Sequence, residues 1–166
     1  MRKSMIVLVV LFSFLQASHA EPPKGYPFKG YDEGMRLAQQ QHKKIFLYFG
    51  RYGCGYCGKT NIESFSDATL HRLYPKHYVL IYIDAESGKR INLPSGERIT
   101  EMELGARLNV VGTPVFFYME PDGKVILRAP GFKTVKDFMD MDRYVQSNRY
   151  HEMSINDFLK QHPQQP

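Results

Sequence analysis

The chain has 166 residues, of which 43% are hydrophobic, 23% charged and 13% aromatic, a balance that supports one buried core and excludes a disordered segment. Its formal charge of +5 is mild, and Cys54 and Cys57 are its only cysteines. Two thiols exclude a disulfide-stapled mini-protein, an all-cysteine iron–sulfur cluster and a four-cysteine zinc ribbon.

Arg2 and Lys3 precede the apolar run Met5–Leu15, and Ser18-His19-Ala20 offers the small residues of a cleavage site. This is the layout of an export signal. The run is too short for a permanent membrane span, which takes about 20 residues; an uncleaved anchor is the alternative reading. Glu21, rather than a cysteine, follows Ala20, so a lipid has no attachment point. Residues 1–20 are therefore expected to be a signal peptide, and residues 21–166 a single exported domain. Losing Arg2 and Lys3 lowers the charge further and leaves no nucleic-acid footprint.

Glu21–Lys29 carries Pro22, Pro23, Gly25 and Pro27 and reads as an irregular lead-in. A ragged amphipathic pattern over Tyr31–His42 predicts a helix. Ile45–Phe49 is a continuous apolar run rich in β-formers and predicts a buried strand, broken by Gly50–Gly53. A helix follows from Cys54 to Phe65. Ser66 and Asp67 look like the cap of another, short, through Leu73. His77–Asp84 (HYVLIYID) predicts the second strand, and the polar stretch Ser87–Thr100 a surface loop or insertion. Thr100 and Glu103 form a capping-box pattern for a helix containing Leu104 and Leu108. Val115–Tyr118 is the third strand, Pro121-Asp122-Gly123 a hairpin turn, and Lys124–Arg128 the return strand, ended by Pro130-Gly131. Helices at Thr134–Gln146 and Ser154–Gln161 close the chain. Strands alternating with helices, then a hairpin, predict a mixed sheet flanked by helices.

Cys54-Gly55-Tyr56-Cys57 follows a predicted strand and opens a predicted helix. At a helix start, unpaired amide N–H groups and the macrodipole stabilise a thiolate, and a cysteine pKa falls from about 8.5 to between about 3.5 and 7.5. Cys54 is then the exposed nucleophile toward disulfides, and Cys57, one turn later, the resolving thiol. Three other uses of the pair compete. As a structural disulfide it closes so small a loop that it removes little chain entropy. Zinc needs two more ligands, and His42, His71, His77, His151 and His162 show no paired spacing. Covalent haem needs His at position 58, which is Gly.

With the strand, the cysteine pair and Gly112-Thr113-Pro114 all placed, the chain resembles the thioredoxin-fold thiol–disulfide oxidoreductases. These carry CxxC at a helix start and a cis-proline before a later strand. The resemblance spans about Tyr31–Leu159. It implies an α/β thioredoxin fold, a mixed central sheet flanked by helices, with the polar insertion placed before the helix that precedes Pro114. It also implies a cis Thr113–Pro114 bond packed against Cys54, with the Thr113 backbone pairing to an extended substrate and Pro114 blocking metal capture. The Gly55-Tyr56 dipeptide and Thr113 resemble periplasmic disulfide isomerases. The short stretch between Ala20 and Cys54, however, leaves no room for their dimerisation domain. The whole layout instead resembles single-domain periplasmic thioredoxin-like proteins associated with sulfur oxidation.

Two positions depart from ordinary thioredoxins. Gly53 stands where they carry Trp, and Tyr48 where they carry a buried Asp that accepts the resolving thiol's proton; Tyr is a poor base near neutral pH. Water, or a carboxylate from elsewhere such as Glu63 or Asp84, is left as acceptor for Cys57. Tyr52, Tyr56 and Phe132 are candidates to flank the pair, and Arg51 and Lys59 to add positive potential. Met139 and Met141 read as helix core rather than a copper site. The expected function is a periplasmic exchanger acting on protein thiols and disulfides, as a reductant or isomerase-like partner. It is expected to be monomeric, with no metal and no bound cofactor beyond a Cys54–Cys57 disulfide. A membrane thiol-transfer protein is the expected electron donor. A disulfide-donating oxidant remains open. So does a non-catalytic binding module whose pair is a permanent bridge and whose insertion docks a partner.

Overall fold

The computed structural model describes residues 21–163, so the expected signal peptide lies outside the described residues. The chain runs α1 (Tyr31–Gln41), β1 (Lys44–Gly50), α2 (Gly55–Glu63), α3 (Ala68–His77), β2 (Tyr78–Asp84), β3 (Arg90–Asn92), β4 (Arg98–Thr100) and α4 (Glu101–Arg107). It continues with β5 (Val115–Met119), β6 (Val125–Pro130), α5 (Val135–Gln146), a 3-10 turn (Arg149–His151) and α6 (Ile155–Gln161). The main sheet has the order β2-β1-β5-β6. β1 pairs parallel with β2 and antiparallel with β5, and β5 pairs antiparallel with β6. This is the mixed, helix-flanked α/β sheet expected from the sequence.

β1 explains the two-sided burial. Its side chains alternate across the sheet, and the central position of the strand leaves both faces covered. Phe46 and Tyr48 enter one core with Leu80, Phe116, Tyr118, Phe65, Tyr74 and Phe138, under α2, α3, α5 and α6. Ile45, Leu47 and Phe49 enter the other with Val79, Ile81, Val115 and Phe117, under α1, α4 and β3–β4. α1 approaches β2 closely because Gly34 has no side chain: a Cβ there would overlap the Ile81 side chain. The irregular lead-in covers the β2 edge. Lys29 N–H donates to Leu80 O at 2.8 Å and Lys29 O accepts from Tyr82 N–H at 3.0 Å, which closes an edge otherwise open to pairing.

Four expectations need correction. α3 continues past Leu73 and through Pro75 to His77, so His77 belongs to the helix rather than to β2. Proline near the end of a helix removes only one late hydrogen bond. The Pro75 carbonyl is satisfied by Lys43 Nζ at 2.6 Å. The insertion is not an irregular loop: β3 and β4 form an antiparallel hairpin with Ile91 opposite Ile99, and both are buried in the second core. β6 runs through Pro130 instead of stopping at Arg128; it is an edge strand, where a missing N–H costs no ladder bond. The 3-10 turn at Arg149–His151 was not anticipated. The cap of α4 matches its sequence signal, and α5 carries a second box of the same kind. Thr100 with Glu103, and Thr134 with Asp137, form reciprocal capping boxes at α4 and α5.

Candidate active site

The β1–α2 turn puts the cysteine pair at the end of the sheet. Cys54 is the N-cap of α2 in an extended conformation, which directs its side chain at the free amides of the first turn. Its Sγ accepts the Cys57 N–H at 3.1 Å. Cys54 and Cys57 are joined as a disulfide, and no free cysteine remains among the described residues. Cys57 is buried, 6% exposed, and packs in the aromatic core, whereas Cys54 is only partly covered. The asymmetry gives one sulfur that a partner can reach and one that it cannot.

The loop before β5 faces Cys54. The Thr113–Pro114 peptide is cis, and the Thr113 carbonyl oxygen lies 3.4 Å from Cys54 Sγ. Thr113 Oγ1 is buried and has no hydrogen-bond partner. Apolar side chains stand around the pair: Tyr56 is 65% exposed, Tyr52 57% and Val111, in the Thr113 loop, 90%. The nearby cations are engaged. Arg51 lies 3.4 Å from Glu86, and Lys59 lies 3.9 Å from Glu63 and 4.5 Å from the centre of the Phe132 ring. The rim of the disulfide is therefore apolar with paired charges.

Behind the disulfide lies a hollow of about 360 Å³, lined by Cys54 and Cys57 together with Glu21, Arg51, Asn61 and Tyr82. Tyr48 lies beneath it and donates its hydroxyl to Asn61 Oδ1 at 3.2 Å. Burial, and next the Tyr82 hydroxyl, push the Tyr48 pKa far up, so this phenol stays protonated. Burial also raises Tyr82, with help from the carboxylates of Asp84, Glu101 and Glu21. Tyr82 reaches the strand end because Gly50 is bare: a Cβ at Gly50 would overlap the Tyr82 hydroxyl.

Of the residues read as candidates, Cys54, Gly55, Tyr56, Cys57, Thr113 and Pro114 converge on one patch. Glu63 and Asp84 do not line the hollow. Glu63 faces Lys59, and Asp84 accepts the Glu86 N–H at 3.0 Å. Asn61, Tyr82 and Glu21 escaped the sequence reading. Asn61 had a usable signal, since it stands one helical turn after Cys57 and so on the same face. Met141 is buried in the aromatic core. Among the described residues no group of three or more His, Cys, Asp or Glu could hold a metal ion, and no helix is long and apolar enough to cross a membrane.

A family model described as a thioredoxin-like domain matches residues 31–146. Several solved structures share the fold. A thioredoxin-fold protein from Helicobacter pylori is 20% identical with a TM-score of 0.63, over 73% of this chain and 82% of that one. A thioredoxin from Thermus thermophilus is 24% identical with a TM-score of 0.61, over 78% and 98%. The carboxy-terminal domain of DsbD from Neisseria meningitidis is 19% identical with a TM-score of 0.53, over 67% and 90%. A curated relative, an uncharacterised protein of Archaeoglobus fulgidus, is 26% identical over 80 residues, 48% of this chain and 61% of that protein. The match spans less than two thirds of that relative's length.

Proposed function

Because this chain belongs to the thioredoxin-like domain family, we propose that it is an exported, periplasmic thiol–disulfide oxidoreductase acting on protein substrates as a reductant or isomerase-like partner. The observation that carries this reading is the placement of Cys54. Its sulfur caps α2, accepts the Cys57 N–H, and lies beside the Thr113 carbonyl at a half-open, apolar rim. A helix start that already directs N–H donors at sulfur favours the thiolate once the bridge is reduced.

In this reading residues 1–20 are a signal peptide and residues 21–166 one domain. Reduced Cys54 attacks a substrate disulfide and forms a mixed disulfide, releasing the first substrate thiolate. Cys57 then attacks Cys54 Sγ, restores the internal bridge and releases the second. Gly55 and Tyr56 form the surface that meets the substrate, and the Thr113 backbone with Pro114 its strand-like docking edge. No bound cofactor takes part beyond the disulfide itself. A reductant in an oxidising compartment must be recharged, and a membrane thiol-transfer protein is the proposed donor. The chain acts as a monomer of the single-domain type associated with sulfur oxidation.

Replacing Cys54 by Ser is expected to abolish reduction of insulin disulfides, and replacing Cys57 by Ser to accumulate mixed disulfides with substrates. Full activity of Cys54→Ser would end this reading. A redox titration adds a second test. A potential between about −270 and −120 mV is that of an exchanger, and one below about −300 mV that of an inert structural bridge.

A further inference from the structure

Resting on the exchange reaction proposed above, we propose that Asn61 is the positioning residue for the proton of Cys57, and that this proton leaves to water held beside Asn61 in the hollow. In the resolving step the substrate is held as a mixed disulfide on Cys54. The Cys57 S–H bond must first break, its proton passing to water. The Cys57 thiolate then attacks Cys54 Sγ. The Cys54–Cys57 bond forms, the bond from Cys54 to the substrate sulfur breaks, and the electron pair leaves on that sulfur, which is protonated by solvent. Cys57 is almost wholly buried in the aromatic core, and it meets the hollow behind the disulfide.

Each element around that hollow contributes a group. From β1, Tyr48 is a neutral hydroxyl; from β2, Tyr82 is another, with the Asp84 carboxylate beyond it. Neither phenol is a base, because burial raises both. Glu101, at the start of α4, is held by Lys89 at 3.6 Å. From the turn after β1, Arg51 contacts Glu86. The lead-in supplies Glu21, whose carboxylate acts on the Tyr82 hydroxyl and whose backbone carbonyl accepts from Asn61 Nδ2 at 3.4 Å.

These contacts fix which way the Asn61 amide faces. A backbone carbonyl can only accept, so the nitrogen end of the amide lies toward Glu21. The oxygen end receives the Tyr48 hydroxyl. Of the two N–H bonds on Nδ2, one serves Glu21. The other has no protein partner among the described residues, and Asn61 lines the hollow together with Cys57, one helical turn earlier. A neutral donor fixed there holds water beside the buried thiol and stabilises the sulfur once it is negative.

The test reads Cys57 alone. In a Cys54→Ser background, the thiolate absorbance of Cys57 near 240 nm is titrated against pH, with and without Asn61→Ala. Loss of the donor that holds water against the charged sulfur is expected to lower the thiolate fraction at neutral pH about tenfold. Tyr48→Phe, which keeps the buried ring but frees the amide, is expected to give a smaller shift of the same sign. It also supplies the readout should Asn61→Ala fail to fold. With both cysteines present, single-turnover reaction with oxidised glutathione is expected to show slower resolution and an unchanged first attack by Cys54. A merely structural role would slow both. An unchanged Cys57 titration in Asn61→Ala would overturn the proposal. So would a shift produced by Glu21→Gln alone, since that variant keeps the backbone carbonyl and removes only the carboxylate. If the unmodified protein reduces no insulin, the functional reading falls while the Cys57 titration still decides the role of Asn61.

Discussion

The two faces of the central sheet are built from different materials. On one, Phe46, Tyr48, Phe65, Tyr74, Phe116, Tyr118 and Phe138 interlock ring against ring. On the other, Ile45, Leu47, Val79, Ile81, Ile83 and Val115 form a mainly aliphatic layer. The aliphatic face is held by area, which has no direction. The aromatic face adds hydroxyls that must find partners when buried. Tyr74 and Tyr118 meet at 2.6 Å, Tyr74 donates to Phe138 O at 2.9 Å, and Tyr78 donates to Asp142 Oδ1 at 2.7 Å. The cysteine helix sits on this directional face. The contrast teaches that the site rests on contacts with fixed geometry, while the opposite layer supplies bulk cohesion.

Four tests would break or sharpen that contrast. The largest effect is expected at Phe116, which packs on Phe46, Tyr48, Phe65 and Phe138. Phe116→Ala should cost about 3–5 kcal/mol in urea unfolding. An unchanged midpoint would mean that this ring-on-ring packing holds nothing together. Next comes Tyr78→Phe, which deprives the buried Asp142 carboxylate of a donor and leaves it His77 Nδ1 at 2.8 Å. A loss of about 1.5–3 kcal/mol is expected by thermal unfolding; a neutral result would show that the hydroxyl anchors nothing.

Gly34→Ala probes the aliphatic side. In an exposed helix this change gains about 1 kcal/mol, but here the new methyl would overlap Ile81. Overpacking of about 1–3 kcal/mol is expected to outweigh the gain. Ile81→Ala in the same chain should relieve much of it, which a double-mutant cycle measures. The smallest effect lies on the surface at α4. Hydrogen bonds from the Thr100 N–H and hydroxyl hold the Glu103 carboxyl below its ordinary range. A depressed folded pKa stabilises above the unfolded value of about 4.3 and is lost as pH falls through the lower folded one. Unfolding midpoints of the parent and Glu103→Gln should therefore differ near neutrality and converge in acid.

Much of this was legible along the chain. Ile45–Phe49 and Val115–Tyr118 are apolar runs that read as buried strands, and the Thr100–Glu103 capping box announces its helix. The cysteine pair and Thr113-Pro114 identified the site because the fold that they imply brings distant segments together. What stayed hidden depended on contacts between segments. Arg90-Ile91-Asn92 and Arg98-Ile99-Thr100 each carry one apolar residue, a pattern too short to announce a strand until α1 and α4 offer it a core. Pro130 reads as a breaker unless its strand is known to be an edge. Asn61 becomes meaningful only when Tyr48, from another element, turns out to donate to it.

Gly50 and Tyr82 have a consequence for how this sequence can change over generations. The strand end is bare so that the phenol can lie across it, so the two positions are free to drift only in one order. A lineage that first acquires a side chain at 50 displaces the ring from the wall behind the cysteines. One that first shortens residue 82 opens the room in which a side chain at 50 becomes harmless. Among descendants of this chain, any residue other than glycine at 50 should be accompanied by a smaller one at 82.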